Sequence, residues 1–542
     1  MIALLGCIRT RRALRPVAAT LASVVACAVL VAGGQARADA AAPTPVSGGT
    51  VTLGWTSSPN CLDPQLANAS LDLSIARQFV DSLVDQDPKT GDIVPWLATK
   101  WTVNTDATKF TFFLRKGVTF SDGSPLTASV VKANFNSISQ LGALALGSAY
   151  LTGYTGVYVE NPYEFTVIFS APNAQFLQGA TTMSLGIVSL ATLQNSTASR
   201  CQGNFSASGP FTLGSFTANQ QVTIVKRPDY KWGAADFVSQ GAAYLDKIVF
   251  QVIPDPSVRI GALQSGQVNG ITDVAPQDEP ALKAGGFQIV ARNNPGIPYN
   301  MTINTQTVPQ AVREALEVAI DRKTITKTVL TPTYRVATGV LAENTPDYIN
   351  QSSSPQMAYN PDLAKKILTQ AGWVPGSDGI RTKNGQRLTV TLTYTNLFSA
   401  NVPTFELLQQ QYQAVGIDFE TLPLPVAQFV TNLNSQNYQM IWYGQTRADP
   451  DVLRQVFSMK QLNRANLKTA GTLEDLLQQQ ASTTDKAKRA DLVKQIQNRL
   501  LNAGYLVPIF DQTTVLAASP KVHNLKFEAS SRLQLHDMWI EH

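Results

Sequence analysis

The sequence predicts a mixed α/β protein of more than one domain, and three observations carry that prediction. Its 542 residues exceed what one ordinary hydrophobic core organises, so two to four domains are expected. Segments of period-2 alternation, such as Phe110 to Arg115, are interleaved with stretches of helical spacing, such as Ala311 to Arg322. Hydrophobic residues make up 44% and charged residues 15%, the balance of a chain with a sizeable core.

The N-terminus reads as a targeting segment. Arg9, Arg11, Arg12 and Arg15 form a basic region, Val17 to Val31 is apolar, and Ala36-Arg-Ala38 offers a small-x-small cleavage pattern. Residues 1–38 are therefore expected to be a signal peptide cleaved near Ala38. The alternative is a lipid anchor through Cys27, in Val24-Val-Ala-Cys27. No later stretch reaches about 18 uninterrupted apolar residues, the length a membrane-spanning helix needs. The segment holds five arginines and no acid, so removing it balances Lys+Arg with the 38 Asp+Glu. A neutral mature chain gives no argument for nucleic acid.

The elements follow in order. Gly49 to Gly54 reads as a first strand, Asn60 to Pro64 as a loop, and Ser70 to Leu83 as a helix. In Leu97 to Gly123, Phe110, Phe112 and Leu114 alternate with Thr111, Phe113 and Arg115, as in a half-buried strand. Asn104-Thr-Asp106 and Ser121-Asp-Gly123 supply turn residues on either side. Thr127 to Ile138 reads as a helix with Thr127 as N-cap. Tyr244 to Pro254 contains a buried strand, and Leu407 to Val415 is a helix closed by Gly416. Leu473 to Leu501 reads as one long Gln-rich helix, its glutamines on a solvated face, before Val507 to Phe510.

Catalytic signatures are scarce. The chain has no G-x-S-x-G elbow, no Gly-Lys phosphate loop and no H-E-x-x-H. Its three histidines, His523, His536 and His542, all lie near the C-terminus, which disfavours a central triad or a histidine-rich metal site. Asp449 and Asp451, two residues apart, fit turn capping better than acid–base work.

Several motifs together resemble one family. They are Pro95-Trp-Leu-Ala98 with Trp101, Phe112 to Ala128, Ser208-Gly-Pro-Phe-Thr-Leu213, Ala311 to Arg322 and Tyr359 to Trp373. In this order they resemble the extracytoplasmic solute-binding proteins of peptide- and nickel-type ABC importers, family 5, from about Gly48 to the C-terminus. The resemblance implies a two-lobed periplasmic-binding-protein fold of the large three-domain, peptide-binding type, with mixed sheets and a ligand cleft between lobes. Domain I would comprise 39–86, 206–301 and 506–542, domain II 87–205, and domain III 302–505. It also implies a monomer that needs no cofactor and delivers a small solute or short peptide to ABC permease subunits. The competing reading is a secreted hydrolase or a sugar-binding protein.

For the site, Tyr438 to Asp451 resembles a family region in which an Asp pairs with a peptide's α-ammonium. This sequence has Gln445 there, which hydrogen bonds but cannot neutralise a cation. That departure points to a neutral polar or anionic ligand, with Arg447 either available to a carboxylate or phosphate or engaged in an ordinary rim or interdomain ion pair. Asp449 keeps peptides open. Trp442 and Tyr443 offer an aromatic wall, although a tryptophan placed like Trp442 is more often core than wall. Ser58, Asn60 and Tyr150 fall where relatives place cleft residues. Cys61 and Cys201 remain in the mature chain, either as two buried thiols or as a disulfide, which the implied topology favours.

Overall fold

A computed structural model describes residues 43–542; the basic leader, Cys27 and the pattern ending at Ala38 lie outside the described residues. Thr50–Trp55 lies within a seven-stranded sheet and pairs in parallel with Lys247–Val252 on one side and Gly270–Thr272 on the other. Gln221–Lys226 and Phe211–Thr217 extend one edge, Thr513–Ala518 and Gln288–Asn293 the other. Three separate stretches of chain thus build one sheet. Val51, Leu53 and Trp55 fill its core with Ile224, Ile248 and Phe250.

The second sheet holds the hairpin read from the sequence. Ala98–Val103 and Lys109–Leu114 pair antiparallel, with Trp101 opposite Phe112, and Glu164–Phe169 and Tyr154–Asn161 complete four strands. The turn is held by Asn104, whose Oδ1 accepts the N–H groups of Thr108 (2.9 Å) and Lys109 (2.8 Å). Phe110, Phe112 and Leu114 point inward, as the alternation requires. Phe112 stacks on Phe165 at 5.5 Å, and Phe176 sits 4.9 Å from both Phe110 and Phe169. Aromatic burial on this scale dominates a small core. The following helix is Ala128–Leu141; Thr127 precedes it without a side-chain cap bond.

A third, five-stranded sheet has the order Asp418–Pro423, Thr389–Tyr394, Met440–Thr446, Gly296–Ile303, Leu506–Phe510. Its two strands Gly296–Ile303 and Leu506–Phe510 carry the chain in and out, so this sheet reaches beyond residues 302–505 at both ends. Helices Gln310–Val318 and Asn401–Gln413 pack into its core through Leu316, Phe405 and Tyr412.

Three helices differ from expectation. The first stops at Ala76, because Arg77, Gln78 and Asp81 are buried and committed to tertiary hydrogen bonds. The Gln-rich run splits into Thr472–Ala481 and Lys486–Asn502, since Asp485 caps the second by accepting from the Lys488 N–H at 2.9 Å. Gln480 and Gln497 are fully buried and hydrogen bonded, not on a solvated face. The helix expected from Leu407 begins earlier, at Asn401, and ends before Gly416.

Cys61 and Cys201 are joined by a disulfide across a separation of 140 residues. Beside it Arg200 donates to Asp63 at 2.8 Å and to Gln65 at 2.8 Å, all three buried. No described helix is long and apolar enough to cross a membrane.

Candidate functional site

Strand Met440–Thr446 delivers the site residues, and its pairing fixes where each one points. Trp442 goes inward: it is 5% exposed, lies parallel to Tyr299 at 5.4 Å and meets Phe405 edge-on at 5.1 Å. It belongs to the core of the third sheet rather than to a cavity wall. The strand can approach Gly296 closely only because that residue lacks a side chain. At its φ of +108° a Cβ would lie 2.1 Å from the Gln445 carbonyl oxygen. Arg447 then leaves the strand with its N–H donated to the Pro295 carbonyl at 3.0 Å.

Here a cavity of about 160 Å³ opens. Leu73, Glu528 and Arg532 line it from the first sheet's side, Tyr150 and Ser184 from the second's, and Gln445 and Arg447 from the third's. Tyr150 lies against Gly179, where a Cβ would come within 2.5 Å of its ring. The Arg447 guanidinium sits 4.2 Å from the centre of the Tyr150 ring, a cation–π contact across the cleft.

A hydrogen-bond chain orients the polar groups. The Tyr443 hydroxyl donates to Gln445 Oε1 at 2.6 Å, and Gln445 Nε2 donates to Gln455 Oε1 at 2.8 Å. That oxygen also accepts from Arg447. Arg447 is buried, yet its Nε has no partner among the described residues. Glu528 accepts from Arg77 Nε at 2.9 Å through Oε2, while its buried Oε1 is unpartnered. Arg77 also donates to the Thr181 carbonyl at 2.6 Å, joining the first helix, the second-sheet region and the C-terminal segment.

The structure thus brings Tyr150, Gln445 and Arg447 into one cavity, with Tyr443 behind them. Asp449 is elsewhere. It forms a two-point ion pair with Arg489 (2.6 and 3.0 Å) and accepts the Asp451 N–H at 2.7 Å. Burial opposes its charge, but Arg489 holds it below the usual carboxylate range. It lines a neighbouring crevice of about 580 Å³ together with Gln86, Asp347 and Arg489. Ser58 accepts the Asn219 N–H at 3.1 Å, Asn60 is exposed, and neither lines this cavity. His536 is buried against Asp537 and the Gly241 carbonyl, and His523 stacks on Trp539, so neither reaches it.

Glu528, Arg532 and Gln455 escaped the sequence reading. Gln455 lies just past the Tyr438–Asp451 motif, on helix Val452–Phe457, eight residues after Arg447. Glu528 and Arg532 carry no motif and lie about eighty residues further on, brought to the cleft only by the return of the C-terminal segment.

A cleft sealed by two lobes, with buried polar groups converging on it, defines the class of two-lobed solute-binding proteins. Residues 92–466 match the sequence profile of the bacterial extracellular solute-binding proteins, family 5 (middle), and the chain belongs to that family. It is therefore the substrate-binding component of an ABC importer. Among its relatives is the nickel-binding periplasmic protein of Escherichia coli K12, 25% identical, with 94% of this chain and 95% of that protein covered. The oligopeptide-binding protein AppA of Bacillus subtilis 168 is 24% identical, with 79% of each covered. In fold the chain is similar to NikA from Brucella suis, solved in complex with Fe(III)-EDTA: TM-score 0.81, 24% identity, 91% of this chain and 100% of that one covered.

Proposed function

We propose that the chain captures a small polar solute in the cavity flanked by Tyr150 and Arg447, and releases it to the permease subunits after the lobes reopen. The observation that carries this reading is the cavity's lining, drawn from the neighbourhood of all three sheets. Parting the lobes dismantles such a site, and closing them completes it. Contacts between the lobes accompany the closed arrangement: the Ala174 N–H donates to the Ala481 carbonyl at 2.8 Å, and Thr484 Oγ1 to the Thr105 carbonyl at 3.2 Å.

We read three domains, one around each sheet: domain I in segments 39–86, 206–301 and 506–542, domain II as 87–205 and domain III as 302–505, with the crossover strands Gly296–Ile303 and Leu506–Phe510 running from domain I into the third sheet. The protein acts as a monomer without catalysis, exported by a leader cleaved near Ala38 or anchored at Cys27. Relatives named for nickel and for oligopeptides frame the range of cargo. Gln445, where an ammonium-pairing carboxylate is expected in peptide binders, and a volume of about 160 Å³ both favour a compact solute over a long peptide. Native mass spectrometry of protein purified without refolding tests capture. The expected result is an added small mass that disappears on denaturation and is diminished in Arg447→Met. Equal retention by that variant counts against this site.

A further inference from the structure

The charges around the cavity do not balance. Arg447 and Arg532 both line it, and among the described residues the only carboxylate in the lining is Glu528, already engaged by Arg77. Arg447 is 6% exposed, with Nε unpartnered and Nη1 given to Gln455. Arg532 is half-buried; among the described residues its Nε, sealed from solvent, has no partner, and Nη1 donates to the Ser530 carbonyl at 3.3 Å. The turn that carries it is fixed by two backbone bonds, Glu528 N–H to the Arg532 carbonyl and Ser531 N–H to the Glu528 carbonyl, each 2.9 Å. Glu528 and Arg532 are thereby held in one turn and line the same cavity as Arg447 and Tyr150.

Unsatisfied buried cationic groups are costly, and a protein keeps them where a partner supplies the missing charge. Two guanidinium groups suit a planar carboxylate, whose oxygens accept from both. The free Glu528 Oε1 can only accept while ionised, so it calls for a donor on the same ligand. Building on the importer reading, we infer that the cargo is a small anionic solute. Its carboxylate bridges Arg447 and Arg532, and a hydroxyl or amine hydrogen on it is offered to Glu528. Gln445 fits this assignment, because an aspartate there would place a second anion beside Arg447.

Calorimetric titration of the mature protein with six probes tests the inference: malate, glutamate and citrate as anions, glucose and N-acetylglycinamide as uncharged solutes, and putrescine as a cation. The expected result is that the tightest binder is an anion, at least tenfold tighter than any uncharged or cationic probe. Arg532→Met should weaken it at least tenfold with its melting curve intact; should that variant not fold, Arg447→Met carries the same expectation. An uncharged or cationic probe as the tightest binder, no binding by any of the three anions, or wild-type affinity in the folded variant would each overturn the inference. The importer reading stands or falls separately, on whether purified protein retains a solute in its cleft.

Discussion

Glu317 shows how far burial alone moves a single residue. It is 1% exposed on helix Gln310–Val318, and its Oε1 has no partner among the described residues. Desolvation pushes its carboxyl up to about 9, with Arg322 opposing too weakly to restore the charge. Folded, it keeps its proton to near that pH; unfolded, it loses it near 4.5. Folding therefore takes up a proton between those values, and this residue's contribution to stability declines as pH rises through the window. Glu317→Gln removes the decline. Urea denaturation at pH 5 and pH 8 should show the variant gaining on the wild type at the higher pH, by at most about 1.4 kcal/mol per pH unit. A constant difference across the window would contradict the assignment. Of the residues named from the sequence, Tyr150, Gln445 and Arg447 line the cavity: the last two stand in the Tyr438–Asp451 motif, and Tyr150 falls where relatives place a cleft residue. Arg532 and Glu528 were not legible in the sequence, because their surroundings are made only by tertiary structure.

At the scale of elements, legibility depended on whether local chemistry and tertiary demand agreed. In the hairpin Ala98–Leu114 they agree: alternation sets the buried face and Asn104 closes the turn. Phe112 lies at its centre, fully buried and stacked on Phe165. Phe112→Ala should cost about 3–5 kcal/mol, read from chemical denaturation; a loss below about 1 kcal/mol would show that the aromatic cluster does not carry this sheet. Agreement fails after Ala76. The pattern there continues a helix, but Arg77, Gln78 and Asp81 are pulled into bonds with Glu528, the Leu533 carbonyl and Trp232. Tertiary partners distant in sequence outweighed propensity, and nothing local announced them. The break in the Gln-rich run was different. Ser482-Thr-Thr-Asp485 is a readable helix start, masked by the leucine spacing on either side.

For the whole molecule, the fold followed from a sequence of motifs in fixed order, whereas the cargo depends on which side chains meet in the cleft. The disulfide Cys61–Cys201 and the Arg77 network tie the first-sheet region to the segments that cross toward the second. Closing a loop of 140 residues stabilises by roughly 5 kcal/mol at most in the chain-entropy picture. On the reading proposed above, the closed cleft holds a solute without changing it. The most direct test of that reading returns the solute identified by mass spectrometry to stripped protein and records thermal unfolding, followed by analysis of the recovered solute. Binding to the native state alone predicts a raised melting temperature, worth about 2.7 kcal/mol at a hundredfold excess over Kd. The expected result is that rise, its loss in the Tyr150→Ala, Arg447→Met double variant, and recovery of the solute unchanged. A chemically altered solute, or a rise that survives in the double variant, would contradict it.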